Sequence, residues 1–84
     1  MDIRQAILEA YPDETFLFAD GFDDAIIGVE ENTLRLIYSV QNCIKILTSD
    51  MEYEEALEYF EFNVSGAHMC VQTPIWCYDF LEIL

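Results

Sequence analysis

The apolar residues of this 84-residue chain change their spacing twice, and this change limits the folds that the chain can adopt. They recur every three or four positions in residues 2–11, alternate in residues 25–39, and return to the longer spacing after residue 40. Spacings of three and four are typical of an amphipathic helix, whereas alternation is typical of a strand. The pattern predicts a single small α+β domain over residues 1–84, in which a β-hairpin packs against two or three short helices.

The alternating segment predicts two strands joined by a turn at residues 30–33, whose sequence is EENT. Three alternate apolar residues share one face of each strand: Ala25, Ile27 and Val29 in the first, Leu34, Leu36 and Tyr38 in the second. Ile26 and Ile37 fall on the opposite face, which is therefore partly apolar as well. We expect the hairpin to lie between two partly apolar layers, or to meet a partner on its second face.

Three segments predict helices. Asp2 can cap the first, over residues 2–11, and Pro12 ends it; the second covers about residues 40–48. The third, over about residues 51–64, is preceded by Ser49 and Glu52 in the spacing of a capping box, and Ser65 with Gly66 would end it. Its apolar stripe consists of Tyr53, Ala56, Leu57, Phe60 and Val64.

Two segments lack a clear period. Residues 13–24 contain the apolar tetrad FLFA before a glycine and several aspartates, which predicts a short strand or irregular packed segment and then a turn. In the tail, Thr73 is biased towards extended geometry by Pro74, which itself cannot donate to a central ladder. We expect a short edge strand there.

The net charge of −14, from 17 acidic and 3 basic residues, excludes several functions. Nucleic acids and anionic membranes are bound through Lys and Arg, so neither is an expected direct ligand. No apolar run is long enough to cross a membrane, and the first residues do not have the pattern of a signal peptide, so we expect a cytoplasmic protein. An apolar content of 54% nevertheless indicates a folded chain.

The acidic residues concentrate in two places. On a regular helix, Glu54, Glu58 and Glu61 would form one stripe, with successive carboxylates roughly 6 Å apart along the axis. This spacing is similar in scale to that of phosphates on a nucleic-acid strand, and the stripe is equally compatible with a solvated helix face. The second group, around the predicted turn, consists of Asp20, Asp23 and Asp24.

Catalytic and metal-binding patterns are weak. If Asp20 begins a calcium-binding loop, Phe22 occupies the third position and Ala25 the sixth, where a carboxylate or amide and a glycine are required. Four potential zinc ligands lack the paired spacing of structural zinc sites: Cys43, His68, Cys70 and Cys77. We expect reduced and mostly buried thiols, no metal, no cofactor and no enzymatic activity.

Three aromatic residues are candidates for a protein interface. Tyr59 and Phe62 fall off the apolar stripe of the third helix, and Trp76 lies in the tail. Aromatic side chains anchor many interfaces, including those of homodimers, although in so small a domain they can also fill the core.

The segments FDDAIIGVEENTLRLIYSVQNCIKIL, MEYEEALEYFEFNVSGA and TPIW, within residues 22–76, resemble a group of small uncharacterised proteins of tailed bacteriophages. The resemblance implies a phage protein acting in a bacterial host cell, where small acidic phage proteins include inhibitors of restriction and CRISPR systems. Our first hypothesis is a non-enzymatic inhibitor whose acidic surface occupies the basic groove of a host nuclease, CRISPR effector or other nucleic-acid-binding protein. The alternative is a phage structural or regulatory module that self-associates or docks through aromatic and apolar surface.

Overall fold

The computed structural model describes residues 2–65 and 73–79, which form a three-stranded mixed sheet and three α-helices. The strands are β1 (Ile26–Val29), β2 (Leu36–Ser39) and β3 (Ile75–Cys77); the helices are α1 (Ile3–Ala10), α2 (Val40–Leu47) and α3 (Tyr53–Tyr59). A 3₁₀ turn, Asp23–Ala25, precedes β1, and a π-helix, Phe60–Ser65, continues α3. The predicted α+β fold is confirmed. The predicted helix stop at Gly66 and most of the tail lie outside the described residues.

β2 is the central strand of the sheet. It pairs antiparallel with β1, so that Val29 lies opposite Leu36, and parallel with β3, so that Tyr38 lies beside Trp76. The predicted hairpin and the predicted edge strand in the tail are both confirmed. Pro74 directly precedes β3, where its missing N–H interrupts no ladder.

The predicted faces of β1 are wrong because the strand contains a bulge. The pairing passes from Ile26 opposite Tyr38 to Gly28 opposite Ile37, which leaves Ile27 unpaired. An unpaired residue shifts the alternation by one position. Ile26 is therefore buried in the core, while Ile27 is 50% exposed.

Side chains cap the first two helices, and the sequence predicts one of these two caps. In α1, Gln5 N–H donates to Asp2 Oδ1 at 2.8 Å, as predicted. In α2, the cap is Ser39, whose Oγ accepts from Asn42 N–H at 3.1 Å. The predicted capping box before α3 is wrong, because Ser49 donates to the Ile46 carbonyl and α3 begins without a side-chain cap.

The core lies between the hairpin, α2 and α3. Its most enclosed large side chains come from β2, α2 and the start of the π-helix: Leu36, Tyr38, Cys43 and Phe60. The segment before the 3₁₀ turn is irregular and packs Phe16 and Phe18 against this core, as predicted. Ala19 N–H donates to the Tyr38 hydroxyl at 2.8 Å, which joins the segment to the central strand.

The third helix is shorter than predicted, and its apolar stripe is only partly buried. Ala56 and Phe60 are enclosed, whereas Tyr53 is 61% exposed and Leu57 is also open to solvent. The predicted stripe assumed one regular helix through Val64. The change to a π-helix at Phe60 replaces the regular spacing with a wider turn.

Candidate protein interface

The three glutamates predicted to form a stripe all reach solvent. Glu54 and Glu58 lie on α3, and Glu61 lies in the π-helix. The even axial spacing predicted for them therefore does not continue through Glu61. Within residues 2–65 and 73–79, no ion pair joins these carboxylates to a basic side chain, so their negative charge is not locally balanced.

The second acidic group has a different setting, because Arg4 of α1 lies against it. Arg4 Nε donates to Asp23 Oδ2 at 2.8 Å, and its terminal nitrogen lies 3.3 Å from Asp20 Oδ1. The Arg4 guanidinium also stacks over the Phe18 ring, 4.4 Å from its centroid. The hydrogen bond with Asp23 raises the pKa of Arg4. Asp24 is exposed and belongs to neither ion pair, so this group is partly neutralised within the fold.

The aromatic candidates separate into two kinds. Phe62 is 79% exposed and Tyr59 is 44% exposed, as expected for residues off the apolar stripe. Trp76 instead packs into the protein, with its ring 5.1 Å from that of Tyr38 and 5.4 Å from that of Phe60. A substitution of Trp76 would therefore disturb the core.

Tyr59 and Phe62 belong to a shallow depression of about 330 Å³, which we call the α3 depression; its lining residues are Met51, Glu55, Glu58, Tyr59, Phe62 and Asn63. Glu55 was not among the residues predicted for an interface, although the sequence contains the pattern that places it there. Residues 55 and 58 are three apart, as are 59 and 62, and residues 55 and 59 are four apart, as are 58 and 62, so the four residues lie on one side of the helical segment.

An apolar groove of about 530 Å³ lies on the other side of α3, between α2 and the chain after β3. Tyr53 and Leu57 line it together with Val40, Ile44 and Tyr78. Tyr53 and Leu57, the two exposed residues of the predicted apolar stripe, therefore line this groove and are not enclosed in the core.

Cys43 is not an activated nucleophile. Cys43 is fully buried, as predicted, and burial raises the pKa of its thiol to about 12, so the thiol stays protonated at neutral pH. Cys77 is half-buried in β3, and His68 and Cys70 lie outside the described residues. In the two described ranges, no three His, Cys, Asp or Glu side chains are grouped to hold a metal ion.

The two other basic residues lie on the hairpin and on α2. Arg35 Nε donates to the Thr73 carbonyl at 2.6 Å and so links the hairpin to the chain before β3. Lys45 is exposed on α2 and lines the apolar groove. The lining of the α3 depression, with Glu55 and Glu58 from α3 and Phe62 from the π-helix, is acidic and aromatic.

Comparisons with protein-family models, with curated proteins and with solved structures found no match to this chain. No helix in the described part of the chain has the length and apolar character needed to cross a membrane.

Proposed function

We propose that this protein is a non-enzymatic, phage-type inhibitor that occupies the basic nucleic-acid-binding groove of a host defence protein, such as a nuclease or a CRISPR effector. The observation that carries the proposal is that the exposed carboxylates of α3 and the π-helix form no ion pair among the described residues. Carboxylates that are not neutralised within the fold remain available to the Lys and Arg side chains of a partner.

The electrostatics favour a protein partner with a positive surface. A net charge of −14 on 84 residues produces a field that attracts a basic groove from a distance and repels nucleic acid. Glu54, Glu58 and Glu61 would make the contacts, while Asp20 and Asp24 would add to the field. Asp23 is already hydrogen-bonded to Arg4 and contributes less. Association of this kind is fast at low ionic strength and slows as salt screens the charges.

A capture experiment from bacterial lysate, run at low and at high salt, tests the proposal. The immobilised protein should retain a nucleic-acid-binding protein at low salt and release it at high salt. A triple variant, E54K/E58K/E61K, should lose this capture and any inhibition of the captured protein.

The matched control reverses the same number of charges elsewhere. Glu9, Asp13 and Glu14 are exposed near the end of α1, so E9K/D13K/E14K changes the net charge equally. This control should retain capture. Equal losses in both triple variants would show that only net charge matters, and unchanged capture by E54K/E58K/E61K would refute the assignment of this surface.

The exposure of Phe62 favours one alternative, a phage structural or regulatory module that docks or self-associates through aromatic surface. In that case binding would persist at high salt, because burial of apolar area is not screened. Phe62→Ser would then weaken binding more than the triple glutamate variant.

A further inference from the structure

The α3 depression brings together two kinds of chemical group. Glu55 and Glu58 supply carboxylates, and Tyr59 and Phe62 supply aromatic rings beside them. All four residues are exposed, and in the described part of the chain none of the four takes part in an ion pair or a ring–ring contact. Both kinds of group are therefore available to a molecule from outside.

A site that combines carboxylates with aromatic rings distinguishes arginine from lysine. A guanidinium is planar and weakly hydrated, so it can stack on an aromatic ring while its edge donates hydrogen bonds to a carboxylate. An ammonium is a compact, strongly hydrated charge that gains less from the ring. Aromatic rings flanked by carboxylates favour arginine over lysine.

The protein already holds one guanidinium in this way. Arg4 lies 4.4 Å from the centroid of the Phe18 ring, and its nitrogens contact Asp23 at 2.8 Å and Asp20 at 3.3 Å. One ring and two carboxylates thus fix an arginine within this fold. The α3 depression presents the same groups without an arginine among the described residues to fill it.

We infer that the α3 depression binds an arginine side chain of the basic partner, with Glu55 and Glu58 as the acceptors and Phe62 and Tyr59 as the stacking surface. The inference rests on the proposed function for the existence of such a partner. The inference names arginine as the cation that is bound. It also assigns the specific contacts to Glu55 and Glu58, whereas the proposed function names Glu54, Glu58 and Glu61.

Short peptides test the inference without knowledge of the target. Tetra-arginine and tetra-lysine, each acetylated and amidated, carry the same charge, and their binding can be followed at low salt by NMR titration of the backbone amides. The native protein should bind tetra-arginine more tightly than tetra-lysine, by up to about fivefold, which is the full value of one cation–π contact at an exposed site. The largest chemical-shift changes should occur at the residues of the α3 depression.

Two pairs of matched variants locate the preference. E55Q/E58Q and E54Q/E61Q remove the same charge, and each pair contains one residue from the first turn of α3 and one from further along. The first should bind both peptides with equal affinity, and the second should keep the preference for arginine. Phe62→Leu should abolish the preference, whereas Tyr53→Leu, at an exposed ring outside the depression, should not.

Equal affinities of the native protein for the two peptides would overturn the inference, as would a preference that survives in both E55Q/E58Q and Phe62→Leu. Its failure can be distinguished from failure of the proposed function. If the native protein shows no preference but captures a basic host protein in a salt-sensitive manner, the arginine site is wrong and the proposed function stands. A localised preference without any captured basic protein contradicts the proposed function alone.

Discussion

Tyr38→Phe removes a single oxygen atom from the centre of the fold. The Tyr38 side chain is fully buried, and its hydroxyl accepts the Ala19 N–H at 2.8 Å. The substitution keeps the ring and its contact with Trp76, but it leaves this N–H without its acceptor. A buried donor left unpaired costs about 1–3 kcal/mol. Because Ala19 is only half-buried, water can partly replace the acceptor, and we expect about 1–2 kcal/mol.

Urea unfolding followed by Trp76 fluorescence measures this cost, since Trp76 is the one tryptophan of the sequence and its ring contacts Tyr38. For a domain of this size, with an unfolding slope of about 1 kcal/mol per molar urea, the midpoint should fall by about 1–2 M. A total stability of about 4–13 kcal/mol, from typical values per residue, leaves the variant folded.

Tyr59→Phe is the matched control, because the Tyr59 hydroxyl makes no hydrogen bond to another described residue and the ring is 44% exposed. Its free energy of unfolding should change by no more than about 0.5 kcal/mol. Equal midpoints for the two variants would refute the argument that the Ala19–Tyr38 bond joins the irregular segment to the sheet.

Three further predictions follow from other hydrogen bonds and from burial. The Ser39 hydroxyl donates to the Asp79 carboxylate at 2.8 and 2.9 Å and also caps α2. Ser39→Ala should therefore lower the free energy of unfolding by about 1–3 kcal/mol. If this cost is the same in an Asp79→Asn background, the two residues are not coupled. Hydrogen bonds from Thr33 lower the pKa of the Glu30 carboxyl below its ordinary value of 4.5. The stability that these hydrogen bonds add is therefore present above pH 4.5, and it is lost as the pH falls through the pKa of the folded state. Glu30→Gln should therefore lower the urea midpoint at about pH 7, and this loss should shrink as the pH falls below 4.5; a loss that does not change with pH would contradict this linkage. In a variant whose other two cysteines are alanine, the Cys43 thiol should react with a thiol reagent only on unfolding, because it is buried and its pKa is about 12; rapid labelling of the native protein would show that the site opens.

The sequence predicts the helices and the hairpin well, because the apolar spacing that indicates each of them involves only residues close together in the chain. Ile7 of α1 and Cys43 of α2 are buried as their spacing indicates, and Tyr38 faces the core. The bulge at Ile27 could not be read from alternation, because one unpaired residue reverses the faces on either side of it. Ser49 also matched a cap pattern, but its hydroxyl is used by the turn that ends α2.

The candidate surface was only partly predictable for a similar reason. The exposure of Glu58, Tyr59 and Phe62 follows from their position off the apolar stripe. The pairing of Arg4 with Asp20 and Asp23 depends on how α1 packs against the 3₁₀ turn, which no local spacing encodes. Trp76 likewise becomes a core residue only because β3 aligns beside Tyr38.

We expect the parallel pairing of β3 with β2 to form after the hairpin, because it joins segments that are far apart in the chain. The hairpin partners are about ten residues apart in the chain, whereas Ile37 and Ile75 are separated by both helices. Contacts between residues distant in sequence carry the larger loop-closure cost and form later. During synthesis, the hairpin, α2 and α3 can therefore form while one edge of the central strand is still unpaired. Trp76, which arrives with β3, would report this last step as a distinct change in fluorescence during refolding.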